Sequence, residues 1–384
     1  MLQSRSRAWI SVDRNAIIHN LKEVNKLLNK NTEVMAVVKA NAYGHGDTVV
    51  AKLLENNGIQ HFAVSSVDEA LNLRNVGIQG DILILGYTPI VHFHYLIEEN
   101  LTQNFLSLDY ARKLDEFAKA NNTKIKGHIK VDTGMGRLGI RYTNDEDGYE
   151  NIKAIYSLEN LDVTGIFSHF SVSDELDENN LNYSMHQKAL YDECIKRLMD
   201  DGIQIGKTHI QNSYGVLNFK FNYDYCRPGL LMLGVTSDDQ IKINSNPDFI
   251  PALSLYANIS YVKTVKKDAD ISYGRHYTCK SDIKIATCSI GYADGLPRNA
   301  SNKGMEVLIH GKRCPIIGNI CMDQCMVDVT EIEDVCEGEI ATFIGSQGDE
   351  RITIDEWSRC AETINNEMLC RFSARVPRFY TKLK

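Results

Sequence analysis

Eight short runs rich in β-branched residues recur over the first two-thirds of the chain, separated by longer amphipathic stretches: Val34 to Val38, His61 to Val64, Ile82 to Leu85, Asn104 to Leu106, Gly127 to Val131, Val163 to Ser168, Thr208 to Ile210 and Tyr223 to Arg227. This alternation is the pattern of repeated βα units around a parallel sheet. Eight such strands close into a (β/α)8 barrel. Helices are expected between them. Asp13 to Leu28 has Asp13 as its cap and Ile17, Leu21, Val24 and Leu28 at three- and four-residue steps, and Ser66 to Asn75 and Asp109 to Ala120 read the same way. The polar stretch Asp174 to Asn182 predicts a long surface loop after the sixth strand.

Beyond about residue 236 the pattern changes to short strands punctuated by Gly, Asn and Asp: Ala252 to Lys266, Ile283 to Ser289, Met305 to Ile309, Arg313 to Gly318 and Ile340 to Ile344. A C-terminal all-β domain is therefore expected. The 384 residues divide into an N-terminal strand within 1–12 that could pack on the β domain, a barrel over 13–236 and the β domain over 237–384.

Charge narrows the partners. Lys and Arg number 42 against 50 Asp and Glu, a net charge of −8, so no long-range field gathers nucleic acid or anionic lipid. An anionic ligand needs a local site. No run of about 18 apolar residues occurs, and the basic Met1 to Arg7 lacks the apolar core of a secretory signal, so neither a membrane span nor export is expected. All ten cysteines lie at or beyond Cys194 without a CxxC pair, which predicts buried thiols in a reducing, cytoplasmic setting and no metal site.

Barrel chemistry sits at the C-terminal ends of the strands. There the sequence places Lys39, Tyr43 and His45 after strand one, Lys130, Asp132, Gly136 and Arg137 at strand five, His169 at strand six, Asn212 and Ser213 at strand seven, and Arg227, Gly229 and Leu230 at strand eight. A lysine after an apolar strand is partly buried and its amine pKa falls, which suits Schiff-base chemistry; a structural ion pair with Asp132 is the competing reading. Asn212-Ser213 and the N–H groups after Pro228 form a cup for a phosphate. A lysine that traps an aldehyde beside such a cup points to pyridoxal 5′-phosphate.

At these residues the sequence resembles the alanine racemase family over nearly its whole length. The matching stretches are Ala36-Val-Val-Lys39-Ala-Asn-Ala-Tyr43-Gly-His-Gly, Lys130-Val-Asp-Thr-Gly-Met-Gly-Arg137-Leu-Gly, Ser168-His169-Phe170, Asn212-Ser213, Arg227-Pro-Gly-Leu, Ser272-Tyr273-Gly274, Gly291-Tyr292-Ala-Asp-Gly and Cys321-Met322-Asp323-Gln. The resemblance implies a pyridoxal-phosphate barrel followed by a β domain, and a head-to-tail homodimer in which each β domain completes the other subunit's site. It implies that Lys39 holds the cofactor and acts on one face of the substrate α-carbon, while Tyr273 of the other subunit acts on the opposite face. Arg227 would face the pyridine nitrogen with His169 behind it. Tyr43, Asn212, Ser213, Gly229 and Leu230 would bind the phosphate. Arg137 would approach the cofactor's phenolic oxygen and the substrate carboxylate, held by a carbamylated Lys130; without that modification, Lys130 contacts Asp132 or solvent. Met322, beside Asp323, would present its N–H to the carboxylate.

One position departs from the family. Where alanine racemases usually carry a tyrosine that narrows the substrate pocket, this chain has Asn366, which is smaller and offers both a donor and an acceptor. The pattern is similar to the racemase domain of the vancomycin-resistance serine racemases, in which a membrane half precedes the racemase half. It implies interconversion of L- and D-serine, with some alanine racemisation, for cell-wall precursors, and a chain that is either free in the cytoplasm or the cytoplasmic domain of a membrane-anchored protein. A housekeeping alanine racemase with a neutral change at 366 is the alternative. Rivals of other kinds are a non-catalytic pyridoxal-phosphate barrel protein, an amino-acid decarboxylase and a structural relic of the fold. Tyr273 and Met322 in a β domain favour racemisation over the first two.

Overall fold

The computed structural model describes residues 6–383; residues 1–5 of the basic Met1 to Arg7 tract lie outside them. Eight parallel strands, Glu33–Val37, His61–Val64, Asp81–Ile84, Thr102–Phe105, Ile125–Asp132, Leu161–Phe167, Lys207–His209 and Tyr225–Cys226, pair in sequence, and Tyr225–Cys226 returns to Glu33–Val37 to close the barrel. The first strand shows why the pattern reads as it does. Val34, Ala36 and Val38 face the surrounding helices, while Met35 and Val37 face inward with Ala63, Leu83 and Tyr225. Both faces of a barrel strand are buried, so the run is apolar without alternation.

The helix over Arg14–Leu27 starts where Asp13 accepts the N–H groups of Asn15 and Ala16, and it buries Ile17, Leu21 and Val24. A loop does follow strand six, but it ends at Asp177, and Glu178 to Asn182 of the stretch expected as loop are helix. Asp177 accepts the N–H groups of Asn179 and Asn180 and caps a 23-residue helix over Glu178–Asp200. The acidic and amide residues that read as loop there are the composition of a helix N-terminus.

The C-terminal part is built on a nine-stranded sheet, in which a second pairing of Ile340–Gln347, with Leu253–Val265, closes six strands into a ring. Two short helices, Ile354–Ala361 and Asn365–Cys370, follow it. Ala8–Val12 lies in this sheet, antiparallel to Leu253–Ala257 and parallel to Arg378–Tyr380. No helix of the described residues is long and apolar enough to cross a membrane.

Candidate active site

A cavity of about 420 Å³ opens at the C-terminal ends of the barrel strands. Lys39 lines it from the end of strand one. Residues 40 to 43 then turn left-handed, with φ of 52°, 56°, 48° and 49°. None of them is glycine, and left-handed backbone costs an L-residue roughly 1–2 kcal/mol. Strain of this kind persists only where the surroundings fix it. Burial first, and the nearby Arg137 charge second, lower the pKa of the Lys39 amine.

Arg227 is buried on the cavity wall and held by four acceptors. Its Nη1 lies 2.6 Å from Nδ1 of His209, and its Nη2 donates to the carbonyls of Ser168 at 2.8 Å and Ile210 at 3.1 Å and lies 3.1 Å from Nδ1 of His169. Burial pushes its pKa down to about 10, which leaves it charged at neutral pH. Because a guanidinium only donates, the facing histidine nitrogens are acceptors. His209 therefore carries its proton on Nε2 and donates to Nδ1 of His128 at 2.8 Å. Burial holds His128, His169 and His209 far below the usual histidine pKa, His128 at about 3, so all three rings are neutral.

Tyr43, Asn212, Ser213, Gly229 and Leu230 gather on another part of the cavity wall. A Cβ on Gly229 would stand 2.5 Å from the Tyr43 hydroxyl, so only glycine lets the two meet. Burial raises the Tyr43 pKa and keeps its phenol protonated, a donor. Ser213 Oγ accepts the Gly229 N–H at 3.2 Å. The Asn212 Oδ1 is already engaged, accepting the Gly215 N–H at 2.8 Å and the Ser173 hydroxyl at 2.9 Å, so the residue offers an anion its N–H groups and not that oxygen.

Neither lysine pairs with Asp132. That carboxylate accepts the N–H groups of Gly134, Met135 and Gly136 and so shapes the glycine-rich turn that carries Arg137 to the cavity. Lys130 is buried, donates to the Val131 carbonyl at 3.1 Å and lies 5.2 Å from the centre of the Phe167 ring. Burial first, then the Arg227 charge, push its pKa well below the ordinary value.

Asn366 reaches the cavity because its neighbour anchors the helix. Asn365 is fully buried, donates to the carbonyl of Thr236 and to Asp355, and accepts from Ser358. This pins Asn365–Cys370 against the end of the barrel. Asn366 lines the cavity, and its Oδ1 is turned away from solvent with no hydrogen-bond partner in the chain.

Tyr273, Met322 and Asp323 do not line this cavity. Tyr273 is 69% exposed and Met322 52% exposed on the C-terminal domain. Ser272 has a φ of 67°, and Asn319 ties this turn down by donating to the Tyr273 carbonyl at 2.7 Å and accepting from the Ser272 hydroxyl at 2.6 Å. Asp323 pairs with Arg375 at 2.6 Å.

Residues 12–237 match the family described as alanine racemase, N-terminal domain, and residues 252–380 match alanine racemase, C-terminal domain. The chain belongs to the alanine racemase family. An alanine racemase of Caldanaerobacter subterraneus subsp. tengcongensis is 41% identical over 97% of this chain and 94% of its own length. The solved alanine racemase of Clostridium difficile 630 superposes with a TM-score of 0.90 at 33% identity, covering 98% of this chain and 96% of that one. A histidine racemase from Leuconostoc mesenteroides subsp. sake superposes with a TM-score of 0.86 at 28% identity, covering 98% and 99%. This chain is thus an amino-acid racemase of a family that depends on pyridoxal 5′-phosphate.

The cavity suits that group. It combines a desolvated amine at Lys39, a donor-only arginine at Arg227 and a protonated phenol beside a glycine cradle for an anion. Sequence reasoning missed several wall residues, including Leu85, Asn104, Phe167, Thr236 and Ser237. It also missed His209, the last residue of the short Lys207–His209 strand, which gives no local sign of its partner.

Proposed function

We propose that this alanine racemase family member interconverts L- and D-serine in preference to alanine, in a site shared by two copies of the chain. Asn366 on the cavity wall carries the substrate reading, a small amide whose oxygen has no hydrogen-bond partner in the chain. With the amide turned into the cavity, a substrate hydroxyl can donate to that oxygen, whereas a methyl group leaves it unpaired. Sites that hydrogen-bond a substrate hydroxyl reject the analogue lacking it far better than apolar pockets separate two substrates by size.

Racemisation needs a proton-transferring group on each face of the α-carbon. Bound pyridoxal phosphate supplies the electron-withdrawing ring that makes the α-proton removable. Lys39 holds the cofactor and moves the proton on one face. Tyr273 of a second copy serves the other, which accords with its exposure on a surface that the cavity of its own chain does not include. Arg227 faces the pyridine nitrogen as a donor, with His169 and His209 accepting from it. Tyr43, Ser213, Gly229, Leu230 and the Asn212 backbone hold the phosphate. Arg137 and the second copy's Met322 N–H, beside Asp323, orient the substrate carboxylate. We assign carbamylation to Lys130, whose neutral amine can add to carbon dioxide with loss of a proton. Cell-wall supply and vancomycin resistance rest on the sequence resemblance alone.

The test is kcat/KM of the holoenzyme for L-Ser and L-Ala. A ratio above one supports the substrate assignment, and a ratio well below one removes it while leaving the family intact.

A further inference from the structure

Ser66 and Glu69 have the Ser-x-x-Glu spacing of a capping box, in which the glutamate accepts the N–H of the cap residue itself. A closed box does occur in this chain: Glu356 Oε1 accepts the Thr353 N–H at 2.9 Å, and Thr353 Oγ accepts the Glu356 N–H at 3.3 Å. At Ser66 only half of it forms. Ser66 Oγ accepts the Glu69 N–H at 3.4 Å, but the Glu69 carboxylate goes elsewhere. Its Oε2 accepts the N–H of Ser65 at 2.7 Å and the Ser65 hydroxyl at 2.9 Å, and its Oε1 accepts the N–H of Ala40 at 2.7 Å. One carboxylate thus joins the ends of barrel strands one and two.

The Ala40 N–H belongs to the first residue of the left-handed turn. The far end of that turn is held from the C-terminal segment, where Arg378 donates to the Gly44 carbonyl at 3.0 Å and the Tyr380 hydroxyl donates to the His45 carbonyl at 3.1 Å. Among the described residues, Glu69 provides the side-chain hydrogen bond to the near end, next to Lys39. Bonds to an ionised acceptor are roughly twice as strong as neutral ones, which suits a group that must hold strained backbone. Its charge also favours the protonated Lys39 amine, against the burial and the Arg137 charge that lower it.

We propose that Glu69 is a positioning residue for Lys39: by taking the Ala40 and Ser65 N–H groups on one carboxylate, it fixes the start of the left-handed turn and so the direction in which the Lys39 amine enters the cavity. This rests on Lys39 as the cofactor lysine, whatever the substrate.

The test compares holoenzymes of wild type, Glu69→Gln, Glu69→Asp and Glu356→Gln. An amide cannot accept both N–H groups, so in Glu69→Gln hydrogen exchange across residues 39–46 should rise about 10-fold and kcat should fall at least as much, while KM changes less than about 3-fold. Glu69→Asp, one methylene short, should show the same pattern at smaller amplitude, which keeps the comparison open if Glu69→Gln folds poorly. Glu356→Gln opens the true capping box and should lower Tm without changing exchange at 39–46. If the Glu69 variants lower Tm but leave that exchange and kcat at wild-type values, Glu69 is only a helix cap and the proposal fails. A cofactor absorbance band that survives in Lys39→Ala would instead overturn the Lys39 assignment.

Discussion

Exchanging Asn366 for tyrosine tests the substrate reading most directly. Asn366 lines the cavity and its Oδ1 has no hydrogen-bond partner in the chain. A neutral hydrogen bond from a serine hydroxyl is worth about 0.5–1.5 kcal/mol, and leaving a buried acceptor unsatisfied when alanine binds costs about 1–3 kcal/mol. The two are aspects of one difference between substrates and do not add in full, so a discrimination of about 1.4–3 kcal/mol is expected, roughly 10- to 150-fold in the ratio of kcat/KM for serine to that for alanine. Asn366→Tyr removes the acceptor and narrows the pocket around the side chain, so both changes should shift the ratio towards alanine. Asn366→Ala separates them: it removes the acceptor while leaving the space, and should lose the hydrogen-bond part alone. Rates of α-proton exchange into L-Ser and L-Ala in deuterated water give both ratios in one assay. A Ser/Ala ratio within about 3-fold of wild type in both variants would refute the reasoning, because that is about 0.65 kcal/mol, less than half the smallest discrimination expected.

Gly229→Ala should weaken cofactor affinity by about 10-fold or more, since the new methyl would meet the Tyr43 hydroxyl at 2.5 Å and force an overpacked contact costing about 1–3 kcal/mol; titrating apoenzyme with pyridoxal phosphate measures it, and unchanged affinity contradicts the phosphate cradle. Mixing Lys39→Ala with Tyr273→Phe subunits should recover about a quarter of wild-type activity, because random pairing makes half the dimers mixed and each mixed dimer holds one intact site; no recovery would mean that Tyr273 does not act across subunits. Acid should destabilise the fold. Burial lowers His45 to about 4 and His128 to about 3, so the unfolded chain binds their protons first: the stability is complete above the unfolded value near 6.5 and drains as pH falls towards the folded values. Together they cost about 2 kcal/mol between pH 6.5 and 5.5, visible as a falling urea midpoint and as proton uptake on unfolding; a flat profile rules out neutral buried rings.

The barrel was legible because its strands are buried on both faces and its helices on one, so the two periods stand out along the chain. Lys39, Arg227 and the Asn212–Ser213 turn were legible for a related reason: polar residues directly after apolar strands have one place to go. Three contacts were not. His209 and Arg227 meet between the adjacent seventh and eighth strands, a pairing that depends on their register. Asp132 looked like a partner for a lysine, but three backbone N–H groups of the following glycine-rich turn lie closer to hand. The Ser66 to Glu69 spacing promised a helix cap, and the carboxylate turned instead to a strained backbone whose φ values nothing in Ala40-Asn-Ala announces.

The row of Arg227, His209 and His128 crosses the barrel from the cavity to a hollow of about 140 Å³ at the opposite mouth, lined by His61, Asp81 and Lys126. A proton travels along hydrogen-bonded rings only if each bond in turn reverses its direction. The guanidinium has no lone pair with which to accept, so the last bond cannot reverse. The row is therefore an insulator. It transmits orientation along the barrel axis but relays no proton, so hydrogen that exchanges into the substrate does not travel along this row.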